Sequence, residues 1–173
     1  MPLLTTGSPI PDFALASDRG AQVDARSLLG AWAVLFFYPK ADTPGCMREA
    51  QAFSALRADF ELLGVRVFGV SRDHMHALCM FRGKYALDVE LLSDPELVVH
   101  RAFGAFGEKI QYGKKREGVL RSTFVVAPTG VVAHAFPNVK VDGHAARVLD
   151  VVRTLQLGAT PTGPKARRGR QAS

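Results

Sequence analysis

A cysteine stands where an apolar strand gives way to a helix. The apolar run of residues 31–37 leads into a segment punctuated by proline and glycine, and Cys46 falls at the expected start of the next helix. Unpaired backbone N–H groups and the positive end of the helix dipole favour an anionic side chain at such a position. Thr43, three residues upstream, adds a hydroxyl group. The spacing therefore predicts a nucleophilic thiolate beside a hydrogen-bonding hydroxyl.

A positive charge from a distant segment would complete this site. Arg121 is the best candidate, because it stands at the start of an apolar strand, residues 123–127. Strand ends at one edge of an α/β sheet converge on the same crevice, which would bring Arg121 to Cys46. Pro39 stiffens the loop before the helix and gives it an apolar wall. Together these residues predict a site for a small polar ligand.

The pattern Pro39-x-x-x-Thr43-x-x-Cys46 resembles the active-site motif of peroxiredoxins, within the AhpC/TSA-like thioredoxin-fold proteins. The closest resemblance is to the peroxiredoxin Q group, also called bacterioferritin comigratory protein. Further similar segments are residues 69–73, 91–94 and 121–126, and the resemblance covers about residues 5–155. It implies an α/β protein of thioredoxin fold and a thiol-dependent peroxidase, an antioxidant enzyme that reduces hydrogen peroxide and alkyl hydroperoxides. Neither a cofactor nor a metal is implied.

The resemblance also implies a role for each site residue. Cys46 would be the peroxidatic cysteine, which peroxide oxidises to a sulfenic acid. Thr43 and Arg121 would bind and polarise the peroxide, and Pro39 would shield the sulfenic acid. Glu49 would orient the arginine.

The chain departs from the common family pattern at the resolving position. Many members carry a resolving cysteine five residues after the peroxidatic one, where this chain has Gln51, and Met47 replaces the usual threonine. Other members place it in the next helix, about one turn beyond Cys79. The resemblance thus makes Cys79 the candidate resolving cysteine of an atypical 2-Cys enzyme, recycled by thioredoxin or a similar dithiol protein. A 1-Cys peroxidase that uses an external thiol is the alternative.

Disulfide formation between the two cysteines would require movement. Bridged Cα atoms must lie within about 7 Å. We expect both cysteines to lie on helices and to point into a packed core at rest. The first turn around Cys46 and part of the next helix would then have to unwind.

Composition and charge limit the remaining choices. The chain has 173 residues, 47% hydrophobic and 22% charged, with two cysteines, which indicates a globular protein without a disulfide framework. The resemblance implies that residues 1–157 form its thioredoxin-fold domain. No signal-peptide pattern or membrane-length apolar run occurs, so a cytoplasmic protein without membrane contact is expected. The five histidines lack metal-ligand spacing. We expect a monomer, with a weak dimer as the alternative.

The net charge of +6 is unevenly placed. Lys165, Arg167, Arg168 and Arg170 lie in a basic segment, residues 158–173, whose composition predicts a disordered tail. A redox-inactive module that binds polyanions through this tail is a second functional hypothesis. A solubilising tail is the preferred interpretation, and specific nucleic-acid binding is not expected.

Apolar periodicity predicts the elements that position these residues. Helical and strand segments alternate, and a hairpin and a helix follow, which indicates a mixed central β-sheet flanked by helices on both faces. Asp73 is the predicted N-cap of the second helix. The predicted strands are 12–16, 21–23, 33–38, 65–71, 91–92, 121–127 and 131–136; the predicted helices are 44–63, 73–85, 95–103 and 142–157; residues 104–120 are predicted as a loop.

Overall fold

The computed structural model describes residues 3–158 and arranges them as an α/β fold. The elements follow in chain order: β1 (Ala14–Ser17), β2 (Gln22–Asp24), β3 (Trp32–Phe37), α1 (Pro44–Ala55), α2 (Arg57–Leu62), β4 (Val65–Ser71), α3 (Met75–Tyr85), β5 (Glu90–Ser93), α4 (Val98–Phe103), β6 (Phe106–Gln111), β7 (Lys114–Val119), β8 (Ser122–Val126), β9 (Val132–Phe136) and α5 (His144–Gln156).

Seven strands form one mixed sheet in the order β2-β1-β5-β4-β3-β8-β9. Strands β3, β4 and β5 are parallel neighbours, whereas β8 runs antiparallel to β3, and β1 runs antiparallel to β5. Strands β3 and β4 are almost entirely buried, which explains their continuous apolar sequences. The predicted mixed central sheet is confirmed.

Helices cover both faces of this sheet, because alternate residues of β3 point to opposite sides. Phe36 faces α1, α2, α3 and α5, and its ring stacks on Phe53 with 4.4 Å between centroids. Phe37 faces α4 and the N-terminal segment, where its ring packs against Phe103 and Phe124. The helices on both faces are therefore confirmed as well.

The predicted helix 44–63 is wrong in one respect, because it breaks at Leu56. The Leu56 N–H is shared between the carbonyls of Ala52 and Phe53, at 3.3 and 3.2 Å, as at tightened helix ends. The apolar spacing continues across the break, since the Phe53 and Phe60 rings still pack with 6.0 Å between centroids. Periodicity alone could not reveal a break that preserves the buried face.

The predicted N-cap of α3 is also wrong. The helix begins at Met75, and His74 occupies its N-cap position without a side-chain hydrogen bond. The Asp73 carboxylate instead accepts the backbone N–H of Ala41 at 2.7 Å and the Ser71 hydroxyl at 2.8 Å. The predicted helix 95–103 similarly begins later, at Val98.

The predicted loop 104–120 contains a hairpin, β6–β7, paired only with itself within the described residues. Tyr112 and Gly113 form its turn with positive φ values of 53° and 76°. Its register places Glu108 opposite Glu117, and Lys109 opposite Arg116. Charged residues and glycines concealed the alternation expected of a strand.

The predicted hairpin 121–136 and the helix 142–157 are confirmed as β8–β9 and α5. Of the predicted tail, residues 159–173 lie outside the described residues, and the division into domain and tail stays a prediction. Between residues 3 and 158, every helix is too short or too polar to cross a membrane.

Candidate active site

Cys46 is the third residue of α1 and is only 1% exposed. Strand β3 ends at Phe37, and the loop 39–43 carries the chain to Pro44, which occupies the first helical position. Thr43 stands at the N-cap with extended backbone but makes no capping hydrogen bond. The first helical N–H groups have no partner within a helix. The thiol therefore lies at a helix start that no side chain caps.

Arg121 reaches Cys46 from the junction of β7 and β8. Its Nη2 lies 3.4 Å from the Cys46 Sγ, and its Nη1 donates to Glu49 Oε1 at 2.5 Å. Gly45 leaves room for this approach, since a Cβ there would make a tight contact of 3.3 Å with Nη2. One guanidinium thus bridges the sulfur and a carboxylate, as the predicted placement of Cys46, Arg121 and Glu49 requires.

In the Glu49–Arg121 pair the carboxyl group is buried and incompletely satisfied among the described residues, whereas the guanidinium is partly exposed. Burial raises the pKa of Glu49 to about 7, although Arg121 opposes the shift. Glu49 Oε2 has no hydrogen-bond partner among the described residues. Burial works against the charge of Arg121, yet Glu49 and the Cys46 sulfur raise its pKa, so the guanidinium stays cationic. A permanent positive charge therefore faces the sulfur, beside a carboxyl group that titrates near neutrality.

Pro39 and Thr43 lie half-buried on the loop before α1. The Thr43 hydroxyl donates to the backbone carbonyl of Lys40 at 2.8 Å. Its oxygen retains lone pairs that can accept a further hydrogen bond. Both residues thus lie on the segment that leads to Cys46, seven and three residues before it in the chain.

Cys79 departs from the expected inward orientation. It is an exposed free thiol on α3, whereas Cys46 is a buried one. Leu78 and Phe81 take the buried positions of that helix. Adjacent helical residues are rotated by about 100°, so a cysteine next to a core leucine turns outward. The structure therefore places the two thiols in different environments.

Sequence reasoning missed the contacts that hold the loop 39–43. Ala41 is bound by Asp73, as described above, and Asp42 is bound by Lys84 and Tyr85 at the end of α3. The sequence signal for the Ala41 contact was Asp73 itself, an aspartate just before α3, which was interpreted as the N-cap of that helix. Across the described residues, three or more His, Cys, Asp or Glu side chains nowhere gather as a metal site.

Comparisons with known proteins agree with this geometry. Residues 6–135 match the AhpC/TSA family. The putative peroxiredoxin bcp of Helicobacter pylori J99 is 41% identical over 150 residues, covering 87% of this chain and 99% of the relative. Peroxiredoxin Bcp of Xanthomonas campestris is 40% identical over 142 residues, covering 82% and 89%. A solved structure of the X. campestris bacterioferritin comigratory protein, described for alkyl peroxide reduction, has a TM-score of 0.79 at 38% identity, covering 83% of this chain and 91% of that one.

Proposed function

The chain belongs to the AhpC/TSA family, and from this premise we propose how its residues carry out the reaction. It is a thiol peroxidase of thioredoxin fold, similar to the Bcp and peroxiredoxin Q proteins, and peroxides are its substrates. Membership of this family argues against the alternative hypothesis of a redox-inactive module. Hydrogen peroxide and alkyl hydroperoxides are the proposed substrates, the latter supported by the activity described for the X. campestris relative.

Cys46 is the proposed peroxidatic residue. Its thiolate attacks the terminal oxygen of the peroxide, so that an S–O bond forms while the O–O bond breaks. The sulfur loses two electrons and becomes a sulfenic acid, and the leaving oxygen takes a proton and departs as water or an alcohol. The O–O bond is weak, so the protein mainly positions the peroxide and stabilises charge on the leaving oxygen.

One observation carries this proposal: the Arg121 guanidinium spans Cys46 Sγ and Glu49 Oε1. A cation held beside the sulfur stabilises both the thiolate and the developing negative charge. Glu49 orients Arg121 as a positioning residue. Thr43 hydrogen-bonds the peroxide, and Pro39 shields the sulfenic acid from water.

Cys79 is the proposed resolving residue. Its thiolate attacks the sulfenic sulfur, an S–S bond forms, and the oxygen leaves as water after taking a proton. Thioredoxin or a similar dithiol protein then reduces the disulfide by thiol exchange. A 1-Cys cycle with an external thiol is the second candidate. It is favoured because the two thiols lie in different environments, Cys46 buried and Cys79 exposed. A monomer is the proposed oligomeric state.

Three proteins test the chemistry: wild type, Cys46→Ser and Cys79→Ser. We expect Cys46→Ser to lose all peroxide reduction. Cys79→Ser should retain one turnover at wild-type rate but lose turnover with thioredoxin. Peptide mapping under non-reducing conditions should find a Cys46–Cys79 disulfide in peroxide-treated monomer. Sustained thioredoxin-dependent turnover by Cys79→Ser would instead establish the 1-Cys cycle.

A further inference from the structure

We propose that Asp42, Lys84 and Tyr85 form a latch that holds the loop 39–43 against helix α3 and sets the rate at which Cys46 is released towards Cys79. The role of Cys79 in this statement rests on the proposed function. The holding of the loop does not, because it follows from contacts within the reduced protein.

The latch consists of short polar contacts between Asp42 and two residues that follow it by 42 and 43 positions in the sequence. Asp42 Oδ1 accepts the Tyr85 hydroxyl at 2.6 Å, and Lys84 Nζ lies 3.2 and 3.1 Å from the two carboxylate oxygens. These hydrogen bonds lower the pKa of Asp42, and the bond from Tyr85 has the largest effect. The carboxylate is therefore charged at neutral pH. Asp42 also has a φ of 61°, in the left-handed region that aspartate and asparagine adopt more readily than other non-glycine residues.

A second contact ties the neighbouring loop residue to the other end of α3. The Ala41 N–H donates to Asp73, two residues before the helix, and the Asp73 carbonyl accepts the Ser93 hydroxyl at 2.6 Å. Adjacent loop residues can contact both ends of α3 because helical side chains lean towards the N-terminus, and Lys84 and Tyr85 are long. The loop is thus fastened to both ends of the helix that carries Cys79.

The latch is the weaker of the two fastenings. Lys84 and Asp42 are largely exposed, whereas the Asp73 contact is partly buried. Bridging Cys46 and Cys79 brings their Cα atoms within about 7 Å. Because Cys46 is buried whereas Cys79 is exposed, the bridge requires the loop and the first turn of α1 to leave their packed positions. Since exposed polar contacts are individually modest, loss of one should raise the open population about threefold.

Two substitutions weaken the latch without changing the backbone. Tyr85→Phe removes the hydroxyl and keeps the ring, and Asp42→Asn removes the charge in a residue type that tolerates positive φ. Tyr112→Phe is the matched control, because Tyr112 is 94% exposed at the hairpin turn and its hydroxyl is remote from the site in sequence. Circular dichroism melts establish that each variant folds.

The first readout is alkylation of Cys46 in the Cys79→Ser background by iodoacetamide. Cys46 is buried, so alkylation reports opening of the loop whether or not Cys79 resolves. We expect Tyr85→Phe and Asp42→Asn to accelerate it about threefold and Tyr112→Phe to leave it unchanged. Equal rates in all variants would overturn the latch.

The second readout is disulfide formation after one equivalent of hydrogen peroxide, followed by acid quench and mass spectrometry in proteins that retain Cys79. The latch variants should form the Cys46–Cys79 disulfide about threefold faster and accumulate less sulfinic acid in excess peroxide. If alkylation accelerates but no protein forms the disulfide, the latch stands and the resolving role of Cys79 fails. A slower disulfide in both latch variants would overturn the latch.

Discussion

Two buried acid–base pairs lie on opposite faces of the sheet and behave differently. Glu49 and Arg121 belong to the face that holds Cys46, whereas Asp94 and His100 belong to the other, where the His100 ring packs edge-on against Phe37. Both carboxyl groups are nearly inaccessible to solvent. Both pair with a basic side chain at short distance, so charge pairing alone does not distinguish them.

The difference lies in how many hydrogen bonds each carboxylate accepts, since each pair leaves one buried side-chain atom without a partner among the described residues, Glu49 Oε2 and His100 Nε2. One oxygen of Asp94 accepts both the His100 N–H at 2.8 Å and the ring Nδ1 at 2.7 Å. Although burial opposes it, these bonds lower the pKa of Asp94. Within residues 3–158, Glu49 accepts a side-chain hydrogen bond from Arg121 alone, and burial raises its pKa. Asp94 thus secures the start of α4 as a carboxylate, whereas Glu49 is a carboxyl group that titrates near neutrality beside the Cys46–Arg121 contact.

The largest expected effect comes from breaking the Asp94–His100 pair. Asp94→Ala should lower the free energy of unfolding by about 4 kcal/mol, because it leaves two buried groups, the His100 backbone N–H and ring Nδ1, without their acceptor. The peroxidase rate per folded molecule should remain that of wild type. Urea unfolding and peroxide consumption on the same samples measure both, with exposed Asp88→Ala as the control. If Asp94→Ala instead lost activity without losing stability, the Asp94–His100 pair would serve the reaction and its assignment to stability would be wrong.

Breaking the other pair should affect the reaction instead. Arg121→Ala should reduce kcat/KM for peroxide about 100-fold, the usual loss for one electrostatic donor and equal to about 2.7 kcal/mol. Its stability should change less than that of Asp94→Ala, since Glu49 can take up a proton when left alone. Arg116→Ala, an exposed arginine of the same polypeptide segment, is the control. Equal losses in the two variants would mean that Arg121 is not the specific cation.

The smallest effect concerns pH. The pKa of Glu49 is about 7 in the folded protein, whereas its ordinary value of 4.5 applies to the unfolded chain. The folded state therefore binds more protons than the unfolded state between these two pH values. Stability contributed by Glu49 is therefore full below pH 4.5 and is lost as pH rises through 7. Between pH 5 and pH 8, the free energy of unfolding of wild type should fall relative to that of Glu49→Gln by on the order of 2 kcal/mol. Urea unfolding at pH 5, 6, 7 and 8 tests this.

Other titrating groups cancel from that comparison. Burial lowers the pKa of His144 to about 4, with Arg147 and Arg121 adding to the shift, so its contribution changes in the opposite sense across the same range. His144 is present in both proteins, and its effect drops out of the difference. A difference independent of pH would show that Glu49 is already fully ionised at pH 5.

The sequence predicted the elements whose burial is continuous or strongly periodic. Strands β3 and β4 and helix α5 follow directly from their apolar patterns, and the convergence of strand ends correctly brought Arg121 to Cys46. Such features depend on local chemistry and on general rules of sheet geometry. They required no knowledge of individual side-chain contacts.

The missed features depend on contacts between distant residues or on a single helical step. Cys79 turns outward because Leu78 occupies the core, and a rotation of one residue decides the outcome. Asp73 binds Ala41 across 32 residues rather than capping α3. The Asp73 contact is absent from the spacing of apolar residues, because it joins two segments that are distant in the sequence.

The register of hairpin β6–β7 makes the protein respond to ionic strength in two opposite senses. Glu108 opposite Glu117, and Lys109 opposite Arg116, repel one another across the strands. Dissolved ions screen such repulsion, so the hairpin becomes firmer as electrolyte is added. Exposed ion pairs such as Arg48–Asp142, which ties α1 to the segment before α5, weaken under the same conditions. A single change of medium therefore tightens one edge of the molecule while it loosens another.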